Sequence, residues 1–168
     1  FSLPLLESLH YTGQNTDSLP DRFSALPKLI SLKLKDLSTG PLQSSIFELD
    51  QLAYLDVETY GAFDPRLLEL KQLRWFGAGF SHGTLSDEFL NQIVSGNVFP
   101  ALEGLRIAHP FMLDLFRRYP HWNKLTTLVL NRLEQVDLDT LDVDLSQLKR
   151  LKINSTTMSA LPDWVCRC

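Results

Sequence analysis

The sequence predicts an α/β solenoid: a horseshoe with a parallel concave β-sheet of about seven strands and short helical or 3₁₀ segments on its convex side. Three observations predict it. The pattern L-x-x-L-x-L, with conservative replacements, occurs seven times. Its occurrences are almost evenly spaced. The segments that flank it recur too, so a whole structural unit repeats rather than a single motif.

In chain order the pattern reads Leu6-Leu9-Tyr11, Leu29-Leu32-Leu34, Leu52-Leu55-Val57, Leu73-Phe76-Ala78, Leu102-Leu105-Ile107, Leu125-Leu128-Leu130 and Leu148-Leu151-Ile153. The steps between first leucines are 23, 23, 21, 29, 23 and 23 residues. Alternation of the last two apolar positions predicts a strand with one face turned inward. The leucine three positions earlier turns the chain onto that strand. Each repeat has a row of apolar side chains that it cannot bury alone, so stacking buries them and pairs the strands in parallel. At roughly 4.8 Å per strand the sheet is on the order of 30 Å across.

The return segments come next. Leu19-Pro20-Asp21-Arg22-Phe23 is echoed by Leu161-Pro162-Asp163-Trp164-Val165, and Leu42-Gln43-Ser44-Ser45-Ile46-Phe47 fills the same slot one repeat on. Shorter echoes precede the strands: Leu26-Pro27-Lys28-Leu29, Leu49-Asp50-Gln51-Leu52, Leu70-Lys71-Gln72-Leu73 and Phe99-Pro100-Ala101-Leu102. Two returns predict helices. Ser86 is an N-cap with Asp87 and Glu88 in the first turn, Phe89, Leu90, Ile93 and Val94 are its apolar stripe, and Gly96 is its stop. That helix accounts for the 29-residue step. A second runs from Phe111 to about Arg118, ended by Pro120. Both read as convex packing.

These repeats resemble the leucine-rich-repeat family, and the resemblance covers essentially the whole chain. The 23-residue period with L-P at the turn looks like the short repeats of bacterial effectors, intracellular scaffolds and plant immune receptors. One family feature is missing. Many members carry Asn three residues after the last strand leucine, where its amide forms a ladder between loops. Here that slot holds Gln14, Leu37, Tyr60, Ser81, Pro110, Leu133 and Thr156. Apolar side chains must fill much of that edge instead.

The bulk properties exclude several classes. The 168 residues are enough for one repeat domain, 1–168, and 44% apolar with 21% charged residues is ordinary globular composition. A net charge of −4 gives no sequence-wide basic field for nucleic acid or anionic membrane. Apolar runs are only a few residues long, as at Phe111–Leu113, which predicts no membrane insertion. The chain begins at Phe1 and its first strand has no cap, while Leu161–Cys168 looks like the opening of another repeat. The reading is a fragment of a longer parent with further domains. Cys166 and Cys168 are too close to close a useful loop, which favours a reducing, cytoplasmic compartment, or host cytoplasm for a secreted effector.

Outward strand positions stack into three columns on the concave face. The first is Ser8, Ser31, Tyr54, Trp75, Gly104, Thr127, Arg150; the second is His10, Lys33, Asp56, Gly77, Arg106, Val129, Lys152; the third is Thr12, Lys35, Glu58, Gly79, Ala108, Asn131, Asn154. Lys33 and Lys35 read as a basic patch, with Asp56 and Glu58 an acidic one beside it. Arg106, Arg150 and Lys152 add positive charge further along. Trp75 beside Gly77 and Gly79 predicts a shallow open pocket, and Trp, Tyr and Arg are frequent interface anchors. The candidate partner-binding centre is Tyr54, Trp75 and Arg106, with Lys33, Lys35, Asp56, Glu58, Arg150 and Lys152 around it. The alternative is that Trp75 leans over its neighbours and covers the sheet.

No catalytic, cofactor or metal constellation emerges. Gly77-Ala78-Gly79 lacks the third glycine of a phosphate loop and falls in a strand. His10, His82, His109 and His121 are dispersed over different repeats. Cys166-Arg167-Cys168 has no further cysteine to complete a site. Asp137, Asp139, Asp142 and Asp144 lack the glycine and terminal Glu of a calcium loop. The expected function is therefore that of a non-enzymatic module binding another protein on the concave face. The resemblance also implies two alternatives: substrate-recognition repeats of a multidomain enzyme, such as a bacterial effector ubiquitin ligase, or sensing repeats of an immune receptor.

Overall fold

In a computed structural model the described residues are 3–13, 23–37, 42–59, 64–80, 99–108, 113, 117, 122–133, 143–154, 163 and 165. Among them, seven strands form one sheet: β1 (Ser8–Thr12), β2 (Ser31–Leu37), β3 (Tyr54–Thr59), β4 (Trp75–Phe80), β5 (Gly104–Ile107), β6 (Thr127–Asn131) and β7 (Arg150–Asn154). Spatial order equals chain order, and every neighbouring pair is parallel. That is the arrangement the repeat period demands, because each turn returns the chain one strand further on.

The apolar rungs face inward. Leu32, Leu55, Phe76 and Leu128 are fully buried, as are Leu34, Val57, Ala78 and Ile107. Leu105 and Leu130 are buried just as they should be. At the two ends of the sheet the same positions, Leu9 and Tyr11 in β1 and Leu151 and Ile153 in β7, are only half-buried. Truncating a buried leucine of this kind to alanine costs about 2–5 kcal/mol, so each central rung is a large share of the fold's margin.

Each strand is entered through the same closed turn. The leucine that opens a rung donates its N–H to the carbonyl three residues back: Leu6 to Leu3, Leu29 to Leu26, Leu52 to Leu49, Leu73 to Leu70, Leu102 to Phe99, Leu125 to Trp122 and Leu148 to Leu145. The next residues bond to the previous turn, with Ile30 N–H donating to Glu7 O, Ala53 to Ile30, Arg74 to Ala53, Glu103 to Arg74, Thr126 to Glu103 and Lys149 to Thr126. The four short echoes seen before the strands thus belong to a set of seven copies of one turn. In the six that follow the first, the bonds to the turn before tie successive turns together.

The returns contain 3₁₀ turns at Phe23–Ala25, Ser44–Glu48 and Pro65–Glu69. Two devices hold them. The Ser45 hydroxyl, buried, accepts from the Phe23 N–H at 3.1 Å and ties one return to the next. Asp64 caps the third by accepting from the Arg66 N–H at 3.0 Å. The helix expected after Ser86 lies outside the described residues. Within the second expected helix, Leu113 and Arg117 are helical, with Leu113 buried and Arg117 exposed.

The slot that lacks Asn is filled as expected where it is described. Leu37 and Leu133 are 1% and 2% exposed. The preceding residues, Asp36 and Arg132, take left-handed backbone with φ of 56° and 53°. Reversing φ there turns the following leucine back under the sheet, a strained solution for a non-glycine residue.

Candidate functional site

The register places the first two outward columns as the sequence predicts, while the third is interrupted, because the pairing of β2 with β3 shifts between Leu34 and Leu37 and leaves Lys35 and Glu58 out of register. Tyr54 pairs with Trp75 and Trp75 with Gly104; Asp56 pairs with Gly77 and Gly77 with Arg106; Glu58 pairs with Gly79. Lys33 pairs with His10 and Asp56, while Arg150 and Lys152 lie at the far edge on β7.

The aromatic centre is one stacked unit. The Tyr54 and Trp75 rings are nearly parallel, at 4°, with centroids 5.6 Å apart. Offset stacking of this kind adds about 0.5–1.5 kcal/mol beyond area burial. The indole also leans onto the next strand. A Cβ on Gly104 would fall inside the space of the Trp75 six-membered ring, so only glycine permits this pose. The glycine that seats the indole is therefore Gly104 beneath the ring, rather than Gly77 or Gly79 beside it. Trp75 ends half-buried and Tyr54 likewise, so the indole both covers the sheet and keeps a surface. Its Nε1 is buried and meets no acceptor among the described residues. Burial pushes the Tyr54 hydroxyl above its ordinary pKa, with Asp56 adding to the rise and Arg106 opposing it, so the phenol is neutral near pH 7.

The expected open pocket above Gly77 is occupied. Asp56 and Arg106 reach towards each other across that glycine, and a Cβ there would collide with the carboxylate and lie 3.0 Å from Arg106 Nε. Arg106 donates from Nε to Asp56 Oδ1 at 2.9 Å and from Nη2 to the same oxygen, with a longer contact to Val57 O at 3.4 Å. The two side chains are only 8% and 6% exposed. Arg106 is thus committed to Asp56, and neither presents a bare charge.

Glu58 is similarly engaged. Lys35 Nζ donates to its Oε2 at 2.8 Å, and Arg132 Nη1 to its Oε1 at 3.2 Å. Burial alone raises the Glu58 pKa, but the Lys35 hydrogen bond and charge, then Arg106 and Arg132, outweigh it and hold the carboxyl below its ordinary value. The acidic patch expected from Asp56 and Glu58 is therefore neutralised within the face. Lys33, Arg150 and Lys152 form no ion pair among the described residues; Lys33 is half-buried, and Arg150 and Lys152 are exposed.

Two contacts escaped the sequence reading. Asn154 Nδ2 donates to Asn131 Oδ1 at 2.7 Å, a side-chain rung between β6 and β7 on the concave columns. Arg74 forms a forked pair with Glu103, exposed, just before β4 and β5. In both, the partners are separated by one repeat step, 23 and 29 residues. Complementary residues at that spacing were the available signal.

Among the described residues no group of His, Cys, Asp or Glu side chains could hold a metal ion. No helix there is long and apolar enough to cross a membrane. Of the acidic stretch, Asp137, Asp139 and Asp142 lie outside the described residues. Asp144 is exposed and accepts from the Ser146 N–H at 3.0 Å, which lowers its pKa. His82, His109, His121, Cys166 and Cys168 lie outside the described residues.

Neither a family model nor a curated protein matches the chain. Solved structures do. The fold is similar to the crystal structure of an internalin from Listeria monocytogenes, with a TM-score of 0.51 and 20% sequence identity. The match covers 76% of this chain and 36% of that one, so this chain spans about a third of the internalin it matches. At this identity the likeness speaks for architecture: the chain folds as a leucine-rich-repeat solenoid.

Proposed function

We propose that this chain is a protein-binding module whose concave sheet face receives the partner, with Tyr54 and Trp75 at the centre of the contact. The observation that carries the reading is the stacked aromatic pair, outward on the central strands β3 and β4 and seated on a glycine. Large rigid aromatic surface at the middle of a broad face is what interface hot spots are made of. The buried and unpaired Trp75 Nε1 supports it further. An unsatisfied donor costs about 1–3 kcal/mol, and local conflicts of this kind concentrate at functional positions.

In this reading Arg106 and Asp56 hold the floor of the surface rather than reaching into the partner. Lys35 and Glu58 do the same one column over. Lys33, Arg150 and Lys152 contribute at the rim. The test compares wild type with Trp75→Ala, as purified proteins, against a partner obtained by pull-down. Calorimetry is expected to show a loss of about 2 kcal/mol or more, roughly thirtyfold in Kd. Arg66→Ala, on a return turn, serves as the control that keeps full affinity. Unchanged affinity in Trp75→Ala refutes the assignment.

A further inference from the structure

We infer that the concave face selects an acidic protein segment, one with an apolar residue set between two clusters of carboxylates. The inference rests on the concave-face reading above and adds the chemistry of the partner.

The chain as a whole carries a net charge of −4, which would repel such a segment. The face does not share that sign. Its two carboxylates, Asp56 and Glu58, are both taken up by cations of the same face. What is left over is positive: Lys33 on β2, and Arg150 with Lys152 on β7, with no ion pair among the described residues. An uncharged aromatic centre thus sits between two cationic flanks. Desolvating a further carboxylate against Lys33 or Lys152 disrupts no existing pair, whereas a basic partner would meet these cations with no unpaired carboxylate in the three columns to offset them.

The strand count sets the spacing. Lys33 and Lys152 occupy one column, five strand steps apart, or about 24 Å. An extended chain crossing the strands covers that distance in about seven residues. Trp75 on β4 lies two steps from β2 and three from β7, about 10 and 14 Å. The fitting segment therefore has an apolar residue about three positions from one acidic cluster and about four from the other.

The experiment uses fluorescein-labelled peptides of that layout in fluorescence anisotropy with the full chain. One has Glu at both ends and a central Leu, one has Gln in place of Glu, and one has Lys; a single-stranded oligo-dT of equal charge is the fourth probe. The acidic peptide is expected to bind best and to weaken as salt rises from about 50 to about 300 mM. A Lys33→Glu/Lys152→Glu variant with an unchanged circular dichroism spectrum is expected to bind it about tenfold more weakly. Absence of acidic-peptide binding, equal binding of the Lys or Gln peptide, indifference to the double substitution, or tighter binding of oligo-dT overturns the inference. Should the Gln and Glu peptides bind equally and both depend on Trp75, the charge selection falls while the concave-face reading stands.

Discussion

Replacing Arg106 alone should damage the protein far more than replacing Arg106 and Asp56 together. The pair is almost wholly enclosed, at 8% and 6% side-chain exposure, and two guanidinium donors converge on one carboxylate oxygen. Arg106→Met keeps the bulk of the side chain and removes the charge, which strands a covered carboxylate over Gly77. Breaking an enclosed pair from one side costs about 3–5 kcal/mol. In a chain of this length each kcal/mol moves the melting point by about 2–4 °C, so a fall of about 6–20 °C is expected. Asp56→Leu/Arg106→Met removes both charges and leaves apolar groups of similar size, and it should return to within about 1 kcal/mol of the parent. Urea unfolding followed by far-ultraviolet circular dichroism measures both variants. A single variant as stable as the parent, or a double variant no better than the single, refutes the reasoning.

Two further outcomes test other parts of the structure. Gly104→Ala should dislodge the Trp75 ring, because the added methyl occupies its space, and cost about 1–3 kcal/mol with a red shift of tryptophan emission as the indole swings into water; an unshifted spectrum contradicts the seating described. The Glu58 carboxyl has its pKa held below the ordinary 4.5, so it favours the folded state above that value and the contribution disappears as pH falls through the lowered one. Lys35→Met should therefore destabilise the protein at neutral pH by less than about 1 kcal/mol and flatten the acid limb of its stability profile, measured by urea titration between about pH 3 and pH 6; an unaltered acid limb argues against Lys35 as the controlling partner.

Periodicity made the fold readable from residues alone. All seven strands fall where the L-x-x-L-x-L rungs place them, since a parallel stack with one strand per turn has no freedom in its order. The substitution of Leu37 and Leu133 for Asn also reads correctly as apolar filling, although the left-handed backbone at Asp36 and Arg132 that delivers it leaves no mark in composition. The site was less legible. Lys35 and Glu58 stand one period apart, yet along each strand they read as two patches, since their bond crosses from β2 to β3. Asp56 and Arg106 lie two strands apart and meet only because Gly77 has no side chain between them, a contact that requires three strands to be considered together. The lean of Trp75 is decided by the missing side chain of Gly104 on the next strand, which is 29 residues away.

The bridge over Gly77 also acts as a ruler. A coiled stack can gain or lose a turn by duplication or deletion without changing how any one turn is built. Asp56 and Arg106 forbid that edit at one location: inserting a turn between β3 and β5 would widen their separation from about 10 to about 14 Å, past the span a guanidinium and a short carboxylate can close. Removing one would bring them onto adjacent strands with no gap to arch over. This stretch of coil is thereby held to a fixed tally of turns, and the aromatic pair one column over inherits that fixed length.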